Sequence, residues 1–326
     1  MDNFIQEEKR VFVIGCTRSG TTLLQRILLG MEGSFSIPKT NFFGLASNMY
    51  ECSSRTGPRL IKDNIKKKYN SIDAELLLNR ISNKIDFEIS VPNKWNGKII
   101  EVSEIFNIVE NFFKGNNTIL IEATPSHVYH IKDILDIFPN AILVGIVRDP
   151  RDVYLSFSRM LKDKNKAART LTEFCKMWNT AYYEMVNNKV EFVKYEDLIK
   201  NPLTAVNKLF DDDLPFIKKI PSGSSKYVTH LAKSGEIWKN NVFNPINQHN
   251  KNNYVGALED KDIELINYLC SEVMIDLQYL PKNTKVSSSV IWYLVKDNTK
   301  WVITRFILHL KCLSKYVLRE VYKGIK

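Results

Sequence analysis

The chain has 326 residues, 44% hydrophobic and 25% charged, enough for one substantial core alone or with an appendage, and it contains no internal repeat or low-complexity tract. The five cysteines, Cys16, Cys52, Cys175, Cys270 and Cys312, stand singly without a C-x-x-C pair, which argues against a disulfide framework and a zinc site. The net charge is +10, but ten Lys/Arg between residues 282 and 326 face only Asp297 and Glu320; that stretch carries +8 and leaves +2 for everything before it.

In chain order, the N-terminus MDNFIQEEKR is charged and runs straight into an apolar segment, so no signal peptide is expected and a cytoplasmic setting is. Residues 11–15 read as a strand, 15–20 as a loop and 21–29 as a helix. Residues 64–83 read as a solvated helix, in which Lys66, Lys67 and Lys68 form a surface face. Short strands are predicted at 118–122 and 190–194. Residues 141–147 are continuously apolar, as suits a strand buried on both faces of a parallel sheet. Pro150 then opens a helix carrying Val153, Ser156, Phe157 and Met160. Residues 222–253, rich in Ser, Asn, Lys and Gly, read as a long mobile loop of the kind that serves as a lid. Strands alternating with helices predict a doubly wound, mostly parallel α/β sheet over residues 1–283, with ligands beyond the carboxyl ends of the strands.

From residue 284 a helical extension is expected. Ile303, Phe306, Ile307, Leu310, Leu313, Val317 and Val321 fall on one stripe, with Lys311, Lys315, Arg319 and Lys323 opposite. Charge interrupts the apolar runs too often for a bilayer span. A helix of this kind can lie on an anionic membrane surface, or dock on the domain with its basic side in water. Nucleic-acid binding is not indicated, because the positive charge is not interleaved with a recognition element.

Two segments carry chemistry. Gly15-Cys16-Thr17-Arg18-Ser19-Gly20-Thr21-Thr22 joins a strand to a helix, so its N–H groups and the helix dipole can converge on an anion. Its glycines are spaced as in a Walker A loop, yet Thr21 stands where the lysine would be and Arg18 sits inside the loop. That disfavours a P-loop-like nucleotide kinase, which needs the lysine to clamp the β- and γ-phosphates. The second segment, Arg148-Asp149-Pro150-Arg151-Asp152-Val153-Tyr154-Leu155-Ser156, places an arginine at a strand end and a hydroxyl near the front of the next helix, where both can meet one phosphate. Arg151 and Asp152 read as a solvated helix start with local ion pairs.

The run VFVIGCTRSGTTLLQRILLG resembles the phosphosulfate-binding loop and helix of sulfotransferases that use 3'-phosphoadenosine 5'-phosphosulfate (PAPS), in particular the bacterial, glycan and protein-tyrosine branch with Arg before Ser-Gly-Thr-Thr. The resemblance implies that Arg18, Ser19, Gly20, Thr21 and Thr22 bind the 5'-phosphosulfate, and that Arg148 and Ser156 bind the 3'-phosphate of PAPS and of its product PAP. Tyr195-Glu196-Asp197-Leu198 resembles the segment whose tyrosine lies beside the adenine, and Trp238-Lys239 a late lid segment. No metal is expected to be required.

Two departures concern the chemistry. Where many relatives have Pro-Lys-Glu with the glutamate as base, this chain has Pro38-Lys39-Thr40; where they have Glu-Lys-Thr-Pro, it has Glu122-Ala123-Thr124-Pro125. Arg18 or Lys39 can take up the charge of the missing lysine. Glu122 and His127 are the ionisable substitutes for the base, and histidine's suitability for general-base chemistry favours His127. They have plainer readings too, His127 as a helix cap and Glu122 as a partner of Arg18 or of a backbone amide. The expected activity is sulfuryl transfer from PAPS to a hydroxyl or amine, with a glycan or glycolipid as acceptor. A nucleotide-binding, membrane-associated scaffold without activity is the alternative that the missing Glu and Lys would favour. Acceptor contacts are expected from residues 40–57, 86–97 and the lid.

Overall fold

The computed structural model describes residues 8–47, 71–90, 92–95, 98–163, 170–210, 214–222 and 243–281, together with 295 and 299. The sequence readings at Lys66 to Lys68, Cys52, Trp238-Lys239 and the amphipathic stripe from Ile303 to Val321 lie outside these residues.

The described chain divides into two compact units, Met1–Arg148 with Ala181–Lys251, and Asp149–Thr180 with Asn252–Lys326. The first holds a five-stranded parallel sheet of β1 (Lys9–Gly15), β2 (Ser34–Ser36), β5 (Ile119–Glu122), β6 (Ile142–Val147) and β7 (Phe192–Lys194), in the order β2-β5-β1-β6-β7. Strand β1 sits centrally, with Val11 level with Ile121 of β5 and with Ile142 of β6. Both of its faces are covered, which is why it reads as an unbroken apolar run. On one face Val11 and Val13 pack with Leu24, Ile27 and Leu28 of helix α1 (Thr21–Leu28). On the other face Phe12 meets Phe43 at 6.1 Å, Phe106 at 5.8 Å and Phe138 at 6.3 Å between ring centroids. Each such ring withdrawn from water contributes about 1.5–3 kcal/mol, so this aromatic layer is a main anchor of the sheet.

Between β2 and β5 the chain makes an excursion. Helix α2 (Phe42–Ser47) is followed, within the described residues, by a two-stranded antiparallel pair, β3 (Ser71–Asp73) and β4 (Ile99–Glu101). Helix α3 (Ala74–Ile85) and helix α4 (Val102–Lys114) follow directly on those two strands. The helix expected at 64–83 therefore starts at Ala74: Asp73 caps it, accepting from Leu76 N at 2.9 Å, and residues 71–73 are drawn into a strand by pairing with 99–101. That pairing partner lies too far along the chain for local periodicity to reveal.

In the second unit, helix α6 (Pro150–Asp163; the intervening α5 is Ile131–Ile137) begins at Pro150 as expected. Its start is not a solvated one. Asp149 is 4% and Asp152 2% exposed. The Arg151 guanidinium bonds both Asp149 oxygens, lies 4.4 Å over the Tyr254 ring and reaches the Tyr279 carbonyl, while Tyr254 N donates to Asp152. Arg151 and Asp152 thus clasp the helix to the chain around 254 and 279, and burial of the Arg151–Asp149 pair replaces the expected solvation. Among the described residues no helix is long and apolar enough to cross a membrane.

Candidate active site

Because all five strands run parallel, the segments leaving β1, β2, β5, β6 and β7 emerge at one end of the sheet, where ligands of such sheets bind. The loop after β1 is shaped by close approach. A Cβ at Gly15 would lie 2.4 Å from the Ile146 carbonyl oxygen, so only glycine lets β1 pass β6 at this point. Gly20 has φ 109° and precedes α1 without any side-chain cap; a Cβ there would lie 2.5 Å from Tyr195 Cδ2. The first N–H groups of α1 thus stay directed at the loop, the geometry that attracts an anion.

Three further features mark that spot. Arg18 is held at φ 73°, a conformation that costs a non-glycine residue about 1–2 kcal/mol and that points to a functional constraint on the loop. Ser19 is fully buried, and its Oγ has no hydrogen-bond partner among the described residues, a cost of about 1–3 kcal/mol unless a ligand takes it up. Lys39 Nζ lies 3.1 Å from Thr21 Oγ1 and 2.7 Å from Thr22 Oγ1. It arrives from three residues beyond the end of β2, and so brings a cation to the position where the loop itself has only a threonine. These features fit a bound phosphate or sulfate group.

Arg148 leaves the end of β6, beside β1. Its guanidinium stacks on the Tyr195 ring at 4.1 Å and donates to the Asn250 carbonyl at 3.1 Å; Asn250 Nδ2 in turn donates to the Tyr195 hydroxyl at 2.7 Å. Tyr195, at the end of β7, is therefore the shared wall: Gly20 packs against its ring on the loop side and Arg148 lies over the same ring. Asn250, 55 residues after Tyr195, has no motif to announce it; only the fold brings it in. Ser156 lies on α6 in the second unit, so its pairing with Arg148 rests on the sequence motif.

At the end of β5, Glu122 and His127 are both fully buried, with His127 Nδ1 2.8 Å from Glu122 Oε2. Glu122 accepts from Thr124 N at 3.0 Å and from Thr124 Oγ1 at 2.5 Å. The imidazole packs edge-on to Phe43, 5.1 Å between centroids, in the aromatic layer. Burial pushes the Glu122 carboxyl up, but the charge and hydrogen bond of His127, with the two bonds from Thr124, outweigh it and hold the group below the ordinary carboxylate range. In this arrangement the two candidate bases are turned to each other, and neither has surface that an acceptor could touch. Thr40 is also fully buried, its Oγ1 accepting from Phe42 N at 3.1 Å at the start of α2. It is a helix-starting hydroxyl at the position where the resembling segments carry glutamate. Among the described residues no cluster of three or more His, Cys, Asp or Glu is gathered as metal ligands would be.

Residues 10–213 match the model of the sulfotransferase family, well over half of the chain. The chain belongs to the sulfotransferase family. The match takes in the loop 15–22, Lys39, the Glu122–His127 pair, Arg148, Ser156 and Tyr195. Solved structures similar to this sulfotransferase include the sulfotransferase domain from the curacin biosynthetic pathway, at 15% identity and TM-score 0.48, covering 82% of this chain and 98% of that one. Another is the sulfotransferase domain from the Synechococcus PCC 7002 olefin synthase, at 16% identity and TM-score 0.42, covering 90% and 95%. A third is retinol dehydratase in complex with androsterone and the inactive cofactor PAP, at 16% identity and TM-score 0.36, covering 87% and 84%. Among curated proteins no sequence matches this chain.

Proposed function

We propose that this sulfotransferase takes its sulfuryl group from PAPS, binding the 5'-phosphosulfate at the loop after β1 and the 3'-phosphate at Arg148. The observation that carries the reading is the common wall at Tyr195, with Gly20 packed on its ring and the Arg148 guanidinium stacked over it. Two anion-seeking groups on neighbouring strand ends, separated by one aromatic ring, suit an adenosine phosphorylated at both ends. Tyr195 is then the adenine-side aromatic, and Ser156 joins Arg148 by motif.

In transfer, an acceptor oxygen forms a bond to sulfur, and the bond from sulfur to the 5'-phosphate oxygen breaks with its electron pair left on that oxygen. The acceptor's proton passes to solvent. Arg18, the N–H groups at the start of α1 and the hydroxyls of Ser19, Thr21 and Thr22 supply donors where that negative charge gathers. Glu122 and His127, sealed from solvent, support the strand end from behind. Arg18 is therefore the member of the expected catalytic set that acts at the reacting group.

The acceptor we propose is a hydroxyl of a glycan or glycolipid. The support is the basic, amphipathic C-terminal sequence, which suits an anionic membrane surface where such acceptors are displayed. Titration calorimetry with PAP against ATP tests the nucleotide assignment. PAP is expected to bind and ATP to bind at least about tenfold more weakly, one lost charged hydrogen bond at the 3'-phosphate; equal affinities would refute the two-phosphate reading. Labelled sulfate transfer from PAPS to glycan and glycolipid acceptors then tests the reaction, and tight PAP binding without transfer to any acceptor would point to a nucleotide-binding protein without this activity. Flotation with anionic liposomes, with and without the residues after Asn283, tests the membrane assignment.

A further inference from the structure

Lys39 lies outside the phosphosulfate loop in sequence, yet its ammonium reaches the two hydroxyls that open α1. Those hydroxyls belong to buried residues, Thr21 at 3% and Thr22 at 9% exposure. A threonine hydroxyl has one hydrogen to give and lone pairs to accept with; when an ammonium occupies a lone pair, the hydroxyl's own hydrogen is turned elsewhere. Lys39 therefore makes Thr21 and Thr22 donors, and it does so beside the uncapped α1 terminus and the unpartnered, fully buried Ser19 Oγ. Cation, helix terminus and three hydroxyls thus lie at one strand end, donors that a bound phosphate or sulfate would engage together.

What holds Lys39 there is also visible. Asn41, two residues on and at φ 53°, donates through its backbone N to Thr124 Oγ1 at 3.2 Å, and its side-chain oxygen accepts from Ser126 Oγ. Thr124 Oγ1 donates in turn to Glu122. The buried carboxylate thus fixes the 39–41 segment through one threonine, and β5 sets where the ammonium falls.

We propose that Lys39 is a direct ligand of the 5'-phosphosulfate, supplying through space the cation that the loop lacks at Thr21 and stabilising charge on the oxygen that leaves with the nucleotide. The proposal rests on the PAPS reading above and adds to it a residue from a different strand end. Its test uses two nucleotides that differ only at the site in question: PAP, and 3'-AMP, which has no 5'-phosphate. With the full-length chain in titration calorimetry, Lys39→Met is expected to weaken PAP roughly 10- to 100-fold, the worth of a hydrogen bond to a charged partner, and to leave 3'-AMP within about twofold. Lys39→Arg, which keeps the charge, is expected to restore PAP to within about fivefold of the parent. Thr21→Val with Thr22→Val separates the routes: if Lys39 acts only by orienting hydroxyls, this pair reproduces the Lys39→Met loss in full and Lys39→Met adds nothing to it. That result would overturn the proposal. So would unchanged PAP affinity in Lys39→Met, or equal losses for PAP and 3'-AMP, which would mark a packing role. Failure of the unaltered chain to bind PAP would be seen before any substitution and would remove the PAPS reading itself, and this proposal with it.

Discussion

The two ends of the sheet in the first unit handle charge in opposite ways. At the amino end of β1, Arg10 bonds Glu110 at 2.7 Å and Asn107 at 3.0 Å and lies 4.6 Å over the Phe138 ring. Every polar group named there faces another, and the cluster is complete in itself. At the carboxyl end, Lys39 and three hydroxyls face the start of α1, and the Ser19 Oγ has no partner among the described residues. A protein tolerates such an incomplete cluster where a ligand completes it, and under the proposed function that is the difference between the carboxyl-end cluster and the Arg10–Glu110 ion pair.

The largest effect expected lies in a third cluster at the same end, where His127 Nδ1 faces the Glu122 carboxylate at 2.8 Å while His127 Nε2 has no partner among the described residues. Removing one member of the fully buried Glu122–His127 pair leaves the other charge or ring nitrogen sealed without compensation. Glu122→Ala or His127→Ala is expected to lower the unfolding free energy by about 3–5 kcal/mol in denaturant titrations, and the double variant by less than the two losses added together. Unfolding at the parent's denaturant midpoint would show that the pair has no structural role. Glu122→Gln, closest in shape, is the variant in which to measure transfer: retained PAP affinity with abolished turnover would restore a base role to the carboxylate.

A smaller effect tests the division between the two ends directly. Arg148→Met is expected to weaken PAP roughly 10- to 100-fold and to leave 5'-AMP, which lacks the 3'-phosphate, within about twofold. Glu110→Gln, at the opposite end, is expected to move neither affinity. Loss of PAP binding in Glu110→Gln, or equal loss of both nucleotides in Arg148→Met, would erase the distinction between fold-holding and ligand-holding charge.

How much of this the sequence disclosed follows from how local each feature is. Loop 15–20 and helix 21–28 are contiguous, and strand 142–147 announces itself by an unbroken apolar run, so both the loop and Arg148 were legible. Tyr195 was legible only through a resembling motif, since a single strand-end aromatic has no signature of its own. The sequence offers Lys39 as a source of charge, but its meeting with Thr21 and Thr22 depends on the pairing of β2 with β5, a contact across more than eighty residues. The contact of His127 with Glu122 was no plainer: only five residues separate them, yet the imidazole is seated by Phe12 and Phe43, neither of which is near it in sequence. Asn250 gave no signal at all, because one asparagine in a polar segment looks like any other.

The smallest expected effect separates the sheet ends by sign. At Glu110 burial pushes the carboxyl up, and the hydrogen bond and charge of Arg10 recover only part of that, so the group titrates above the ordinary range. Its favourable contribution to folding is complete below the unfolded value of about 4.3 and is lost as pH rises through the folded one. At Glu122 the net shift is downward, because His127 and Thr124 outweigh burial. Its contribution is present above about pH 4.3 and is lost as pH falls through the folded value. Unfolding free energies of the parent, Glu110→Gln and Glu122→Gln, measured across the acid range, should therefore give difference curves of opposite slope: the Glu110 difference shrinks as pH rises above about 4.3, the Glu122 difference as pH falls below it. Two curves sloping the same way would mean that the carboxylates share one environment, and that the amino-end ion pair and the strand-end pair do not differ in how burial and partners balance.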